Sequence, residues 1–171
     1  MGKYNLPPEY GVFTKETDKI CTMADKLWDR GKLKEAFELF QKAAKMGDTT
    51  GMLNSGYFYY YGLYVRKDKD KALYWYKKAY MFKHAAAASN IAIIYKERKD
   101  WRKMLWWFHK AVALGDGDAL YEIATLYHKG IGVKRNIKKA ISYYKKALDM
   151  DSYYITEDTI DKIKRIMKRL S

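Results

Sequence analysis

Internal repetition constrains this chain more than any other feature. Gln41-Lys42-Ala43, Lys77-Lys78-Ala79, His109-Lys110-Ala111 and Lys145-Lys146-Ala147 recur at spacings of 36, 32 and 36 residues. A period of that length marks a supersecondary unit that cannot bury its own apolar face, so neighbouring copies must stack and cover one another. Seven residues before each alanine stands Ala36, Ala72, Met104 or Ala140, and between them lies Phe40, Tyr76, Phe108 or Tyr144. Positions i, i+4 and i+7 share one face of a helix, with small residues where two helices approach and a ring filling the space beside them. A second stripe precedes each of these: Ile20, Met23, Ala24 and Leu27; Met52, Ser55, Gly56 and Tyr59; Ala88, Ile91, Ala92 and Tyr95; Leu120, Ile123, Ala124 and Tyr127. Its i, i+3, i+4, i+7 spacing is again helical, so each repeat reads as an antiparallel helix pair.

Composition agrees with long helices and few breaks. The only two prolines are adjacent, at Pro7 and Pro8, and 49% hydrophobic residues with 16% aromatics in 171 residues suffice for a core. A single cysteine, Cys21, cannot form an internal disulfide, which points to a reducing compartment and to the cytoplasm. Met1-Gly2-Lys3-Tyr4-Asn5-Leu6 lacks the apolar run of a signal peptide and the Ser or Thr of a myristoylation signal, and no stretch is apolar enough to span a membrane. Net charge is +14. Split at residue 85, the halves carry +6 and +8, so the excess is spread along the chain, and an acidic partner, protein or nucleic acid, is expected.

The loops within pairs come in two lengths. Gly62-Leu63-Tyr64-Val65 and Gly130-Ile131-Gly132-Val133 add four residues that the connections around Gly31 and Lys99-Asp100 lack. Ala119 to Met150, with Ala124-Thr125-Leu126-Tyr127-His128-Lys129-Gly130-Ile131-Gly132-Val133 and then Lys139-Ala140-Ile141-Ser142-Tyr143-Tyr144-Lys145-Lys146-Ala147, resembles a Sel-one-like repeat. Gly51 to Tyr80, ending Lys71-Ala72-Leu73-Tyr74-Trp75-Tyr76-Lys77-Lys78-Ala79, resembles one too. The two copies with compact loops resemble the related tetratricopeptide repeat, as in Gly31-Lys32-Leu33-Lys34-Glu35-Ala36-Phe37-Glu38-Leu39-Phe40. Leu63 is read as standing where the loop's second glycine belongs, and Met104 where an alanine belongs, so local distortion is expected in the second and third repeats.

This resemblance implies an all-α fold, a right-handed α-solenoid of about four antiparallel helix pairs. The repeats are expected at about 14–48, 49–84, 85–116 and 117–151, after an N-terminal extension over 1–13. Thr156-Glu157-Asp158-Thr159-Ile160 reads as the start of a C-terminal capping helix within 152–171, with Ile160, Ile163, Met167 and Leu170 inward and Lys162, Arg165, Lys168 and Arg169 toward water. With no further copy on either flank, a complete capped unit is expected.

The resemblance also implies function by surface: an adaptor or scaffold, without catalysis, that holds a protein or peptide in a concave groove lined by first helices. Carried onto matching positions, that groove presents Asp18, Cys21, Asp25, Trp28 and Asp29, then Thr50, Leu53, Tyr57, Tyr60 and Tyr61, then Ile93, Lys96 and Glu97, then Tyr121, Thr125, His128 and Lys129. It would be acidic at its amino-terminal end, tyrosine-rich in the middle and basic at the far end. Tyrosine gives large contact area with few rotatable bonds, and Tyr, Trp and Arg are enriched at binding hot spots. A basic module of this size is compatible with neutralising an acidic partner, as immunity or inhibitor proteins do, or with adapting a chaperone or signalling client. Trp75, Trp106 and Trp107 fall beside the packing stripe and read as structural, whereas Trp28 reads as a groove residue.

Two rival classes remain. From Lys129 to Lys146 the basic residues Lys129, Lys134, Arg135, Lys138, Lys139, Lys145 and Lys146 occur with no acid, and this surface could track a phosphate backbone while Tyr143 and Tyr144 stack on bases. The basic, amphipathic capping helix could lie on a membrane surface. An enzyme reading lacks its cluster: His84, His109 and His128 are far apart, and there is no His-Glu-x-x-His, cysteine pair or glycine-rich phosphate loop, so no metal or cofactor is expected. Asp116-Gly117-Asp118 resembles part of a calcium loop but lacks the later ligands and reads as turn chemistry. Cys21 has no base beside it in sequence and reads as a half-buried apolar residue.

Overall fold

The stripe that the sequence marks on each second helix is buried throughout. In the computed structural model, which describes residues 14–150 and 156–170, Ala36, Phe40 and Ala43, Ala72, Tyr76 and Ala79, Met104, Phe108 and Ala111, and Ala140, Tyr144 and Ala147 are all withdrawn from solvent. Around these stripes the described residues form nine α-helices: α1 (Lys15–Asp29), α2 (Leu33–Lys45), α3 (Thr49–Tyr61), α4 (Lys69–Met81), α5 (Ala85–Glu97), α6 (Trp101–Ala113), α7 (Gly117–Lys129), α8 (Ile137–Leu148) and α9 (Glu157–Leu170). They fall into two compact units, residues 1–84 and 85–171. In the first, α1 packs on α2, α2 on α3 and α3 on α4; in the second, α5 packs on α6, α6 on α7, α7 on α8, and α9 closes against α8 and α7. The extension over 1–13 and the start of the expected cap at 152–155 lie outside the described residues.

Helix starts are fixed by short polar side chains that accept the orphan N–H groups of the first turn. Asp48 accepts from Gly51, Asp68 from Asp70 and Lys71, Asp100 from Lys103, Asp116 from Ala119, and Asn136 from Lys139. Thr14 caps α1 through a reciprocal pair with Thr17. Thr156 accepts from the Thr159 N–H and donates to Asp118 of α7, so the expected cap of α9 also ties that helix to the preceding pair. Within α9, Ile163 is fully buried and Ile160, Ile166 and Met167 pack on the same cluster.

Small residues set how closely helices approach. A Cβ on Gly56 would lie 2.5 Å from the buried Tyr76 ring, and one on Gly51 would lie 2.6 Å from the backbone nitrogen of Ala44. The seven-residue loops 62–68 and 130–136 both begin with a glycine in the left-handed region that ends the helix, Gly62 at φ 77° and Gly130 at φ 71°. The second left-handed position corrects the sequence reading: it is Tyr64, at φ 61°, that matches Gly132 at φ 68°, and Leu63 instead packs on the core. The exchange has a steric reason. A Cβ on Gly132 would lie 2.6 Å from Trp101 at the start of α6, whereas the same register in α2 holds the smaller Leu33, leaving room for a side chain at 64.

The first stripe is also corrected. Met23 is 57% exposed, while Thr17, Cys21 and Ala24 are buried. Position 23 matches Ser55 and Ile123, which are buried in α3 and α7, helices that pack on a preceding pair. Among the described residues no helix precedes α1, so the same register there faces outward. Met104, read as a departure from alanine, is fully buried and its helix is regular from Trp101 to Ala113. Gly56→Ala is expected to lower stability by about 1–3 kcal/mol, because the Tyr76 ring it would strike is buried and cannot turn aside; chemical denaturation of the two proteins reads the difference directly.

Candidate functional site

In the first unit the structure brings the aromatic residues of α1 and α3 into one chain of rings. Trp28 lies 5.3 Å from Tyr57, Tyr57 lies 4.3 Å from Tyr61, and Tyr61 meets Tyr60 edge-on at 4.7 Å. Trp28 is anchored from below by Phe58 at 4.8 Å and Phe40 at 6.0 Å, so it is both core edge and surface. Tyr61 is 53% exposed, Tyr57 and Tyr60 are half-buried, and Lys67 sits over the Tyr60 ring. Leu53 is half-buried on the same helix. Burial, and then the neighbouring Tyr61, hold the Tyr57 hydroxyl above its ordinary range. Asp18, Asp25 and Asp29 of α1 are exposed; partial burial and then Asp29 raise the Asp25 carboxyl.

Cys21 does not belong to that open face. It is 5% exposed, and its thiol donates to Asp48 Oδ1 at 3.3 Å, the same oxygen that accepts the Gly51 N–H at 2.8 Å. The reading of Cys21 as an exposed groove residue is therefore corrected: the capping carboxylate of α3 needs a second donor, and the thiol supplies it. Burial, followed by the Asp48 charge and this hydrogen bond, pushes the thiol up to about 12, so it holds no thiolate near neutrality and is not a nucleophile. The second unit repeats the device with Ser89, whose hydroxyl donates to the α7 capping residue Asp116. Asp116 thereby acts as turn chemistry, as the sequence suggests. The Asp48 node was missed in the sequence, although its signal is present: Cys21 and Asp48, like Ser89 and Asp116, are 27 residues apart at matching register.

His84 occupies the register of Asp48 and Asp116, and its Nδ1 is buried without a hydrogen-bond partner, as is Asp48 Oδ2. Burial holds its imidazole below the ordinary 6.5, opposed by the Asp48 charge.

In the second unit, Thr125 and His128 do not stand free: both reach the buried Tyr144 hydroxyl, at 3.3 Å and 3.4 Å, and the Tyr121 ring lies 6.0 Å from the same residue. Tyr144 is fully buried, which removes it as a stacking platform for bases. Lys96 pairs with Glu122 at 3.0 Å, Ile93 is half-buried, and Lys129 is exposed at the end of α7. Of the basic run, Lys134, Lys138, Lys139, Lys145 and Lys146 are exposed, and exposed Arg135 donates to the His128 carbonyl at 3.1 Å. Lys139 covers the Tyr127 ring and Lys146 the Tyr143 ring. Trp107 is buried and Trp75 half-buried, as expected of structural tryptophans, but Trp106 is 51% exposed. The helical stripe of α6 is Met104, Trp107, Phe108 and Ala111, and residue 106 falls outside it.

These features define a class: an all-α helical-repeat protein of the α-solenoid type, made of antiparallel pairs with alternating short and long internal loops. The Sel1 repeat family model matches residues 30–48, 49–81, 105–116 and 117–152, more than half of the chain. The chain belongs to the Sel1 repeat family, whose members are generally protein-interaction scaffolds. It is similar to a Sel1 repeat protein from Oxalobacter formigenes, with 25% identity, a TM-score of 0.69, and coverage of 81% of this chain and 60% of that one. It is also similar to a protective antigen of uropathogenic Escherichia coli displaying an SLR fold, with 26% identity, a TM-score of 0.62, and coverage of 77% and 30%. Over 51 residues it is 43% identical to the ERAD-associated E3 ubiquitin-protein ligase component HRD3B of Arabidopsis thaliana, covering 29% of this chain and 8% of that protein. The chain thus spans less than two thirds of the length of each. Among the described residues no helix is long and apolar enough to cross a membrane.

Two expectations follow from the buried polar groups. Cys21 should resist thiol-specific reagents at pH 8 in the native protein and react at once in denaturant, as followed by absorbance of the released chromophore. Because folded His84 binds its proton less readily than the unfolded chain, its contribution to stability should be fully present above pH 7 and fall as pH drops below 6.5. His84→Asn should flatten that slope in melts at pH 7.5 and 5.5, leaving what the similarly depressed His109 contributes.

Proposed function

We propose that this chain is a non-catalytic scaffold that holds a protein partner on the open faces of its first helices, α1 with α3 in one unit and α5 with α7 in the other. The observation that carries this reading is the ring chain Trp28-Tyr57-Tyr61-Tyr60, which is anchored in the core at one end and open to solvent at the other. Rings so fixed lose little conformational freedom on binding, and tyrosine hydroxyls offer donors to a peptide backbone. The second unit presents, on its own first-helix face, Tyr121, Ile93 and Lys129, with Thr125 and His128 pre-positioned by Tyr144.

The net charge of +14 favours a partner whose surface is acidic overall, with on-rates raised by long-range attraction. The exposed carboxylates of α1 are the local exception and suit a basic residue at one end of the bound segment. An immunity- or inhibitor-type binder that masks an acidic protein is one form such a scaffold takes.

Tyr61→Ala should leave helicity and melting nearly unchanged, since the side chain is half exposed, yet reduce capture of the partner at least tenfold. Tyr57→Ala should cost about 1 kcal/mol through its contact with Trp28 and lose capture as well. A nuclease-treated pull-down from native lysate at two salt concentrations, with mass spectrometry, tests this: one acidic protein retained at both salts and lost with Tyr61→Ala supports the reading. Retention unaffected by either substitution would place the binding face elsewhere.

A further inference from the structure

The outer faces of α6 and α8 carry a chemistry that protein binding by first helices leaves unused. Neither helix contains an acidic residue, while α6 has Arg102, Lys103 and Lys110 and α8 has Lys138, Lys139, Lys145 and Lys146. Asp100, which caps α6, is already committed to Lys103 at 2.6 Å. On this cationic surface Trp106 is 51% exposed beside an open cleft of about 760 Å³ that Asp100, Arg102, Lys103, Leu105 and His109 also line. Its ring meets Trp107 edge-on at 4.8 Å, which fixes its plane, and Lys110 Nζ lies 4.9 Å from its centroid. The two helices are joined on this side: the His109 ring is 6.3 Å from that of Tyr143, over which Lys146 sits.

The core does not require an indole at 106. The same register of the other second helices holds Glu38, Tyr74 and Ser142. A single exposed ring on a soluble protein carries little meaning. A ring fixed in plane, among cations of which only Lys103 is compensated, by the Asp100 carboxylate, matches how single strands are held, by phosphate neutralisation along a groove and base stacking on aromatics. A lipid surface is disfavoured, because it would need a continuous apolar face, and the apolar face of α6 is spent on the core. An acidic protein would satisfy the lysines as well, and polyglutamate in the test below separates it from a nucleic acid.

We propose that the α6–α8 face binds single-stranded nucleic acid, with lysines on the phosphates and Trp106 stacked on a base. The test is fluorescence anisotropy of labelled single-stranded RNA and DNA of about twelve nucleotides, titrated with the full chain across a salt series. Affinity should fall steeply with salt, and Lys138→Gln with Lys145→Gln should lower the slope of that dependence. Trp106→Ala should weaken binding about tenfold, the loss of one stacked base, while Trp106→Tyr restores most of it. Circular dichroism should be unchanged throughout, since these residues are exposed. Tyr61→Ala should have no effect, which separates this surface from the first-helix faces. The proposal is overturned by absence of binding at low salt, by binding that Trp106→Ala leaves unchanged or that polyglutamate matches, or by capture on phosphatidylserine vesicles without oligonucleotide binding.

Discussion

The close approach of paired helices through alanine and glycine is the constraint on which the rest of the structure depends. A second helix that presents Ala, an aromatic and Ala on one stripe can sit against its neighbour only where nothing larger intervenes, and Gly56 against Tyr76 is the tightest case among those contacts. Once that distance is set, the ring at positions 40, 76, 108 and 144 fills the only space left, and each has almost no exposure. Close packing of this kind fixes the register of first helices, and the register decides which of their side chains reach water. The open ring chain of α1 and α3 is a by-product of that geometry: Phe58 and Phe40 hold Trp28, and Trp28 holds Tyr57.

Much of this was legible in the sequence because repetition averages out ambiguity. Any single i, i+4, i+7 match is weak, but four matches at the same offset from four alanines located the buried stripes without error at Tyr76, Phe108 or Met104. Where the reading failed, the cause was a neighbour that periodicity does not report. Met23 fits the apolar template of its helix as well as Ile123 does, yet α7 packs on a preceding helix pair and α1, among the described residues, has none. Cys21 looked like an apolar surface residue because the carboxylate it serves lies 27 positions away. The second left-handed position is Tyr64, one residue beyond the Leu63 to which the sequence assigns the loop's second glycine, because the smaller Leu33 makes glycine unnecessary at 64.

The candidate site was legible at lower resolution. Sequence placed Trp28, Tyr57, Tyr60 and Tyr61 on related faces, and the structure joins them ring to ring. It could not anticipate that Thr125 and His128 share one buried hydroxyl, nor that Lys96 spends its charge on Glu122. It treated three tryptophans of second helices alike, although a shift of one position turns Trp106 about a quarter-turn away from Trp107 and into solvent. Tyr143 and Tyr144 divide in the same manner, one at the surface edge and one in the core.

The alternation of loop lengths has a consequence for how such a chain can grow. Cys21 and Ser89, Leu33 and Trp101, Asp48 and Asp116, Gly62 and Gly130, and Tyr64 and Gly132 are each separated by 68 positions, and within each pair the two residues hold the same place in the fold. A single helix pair is therefore not the interchangeable part, because its neighbour always has the other loop. Within this chain the unit that recurs with its loop intact is the double repeat, so a duplication or deletion that kept the alternation would move in steps of 68 residues, twice the length that the helix pairs alone suggest.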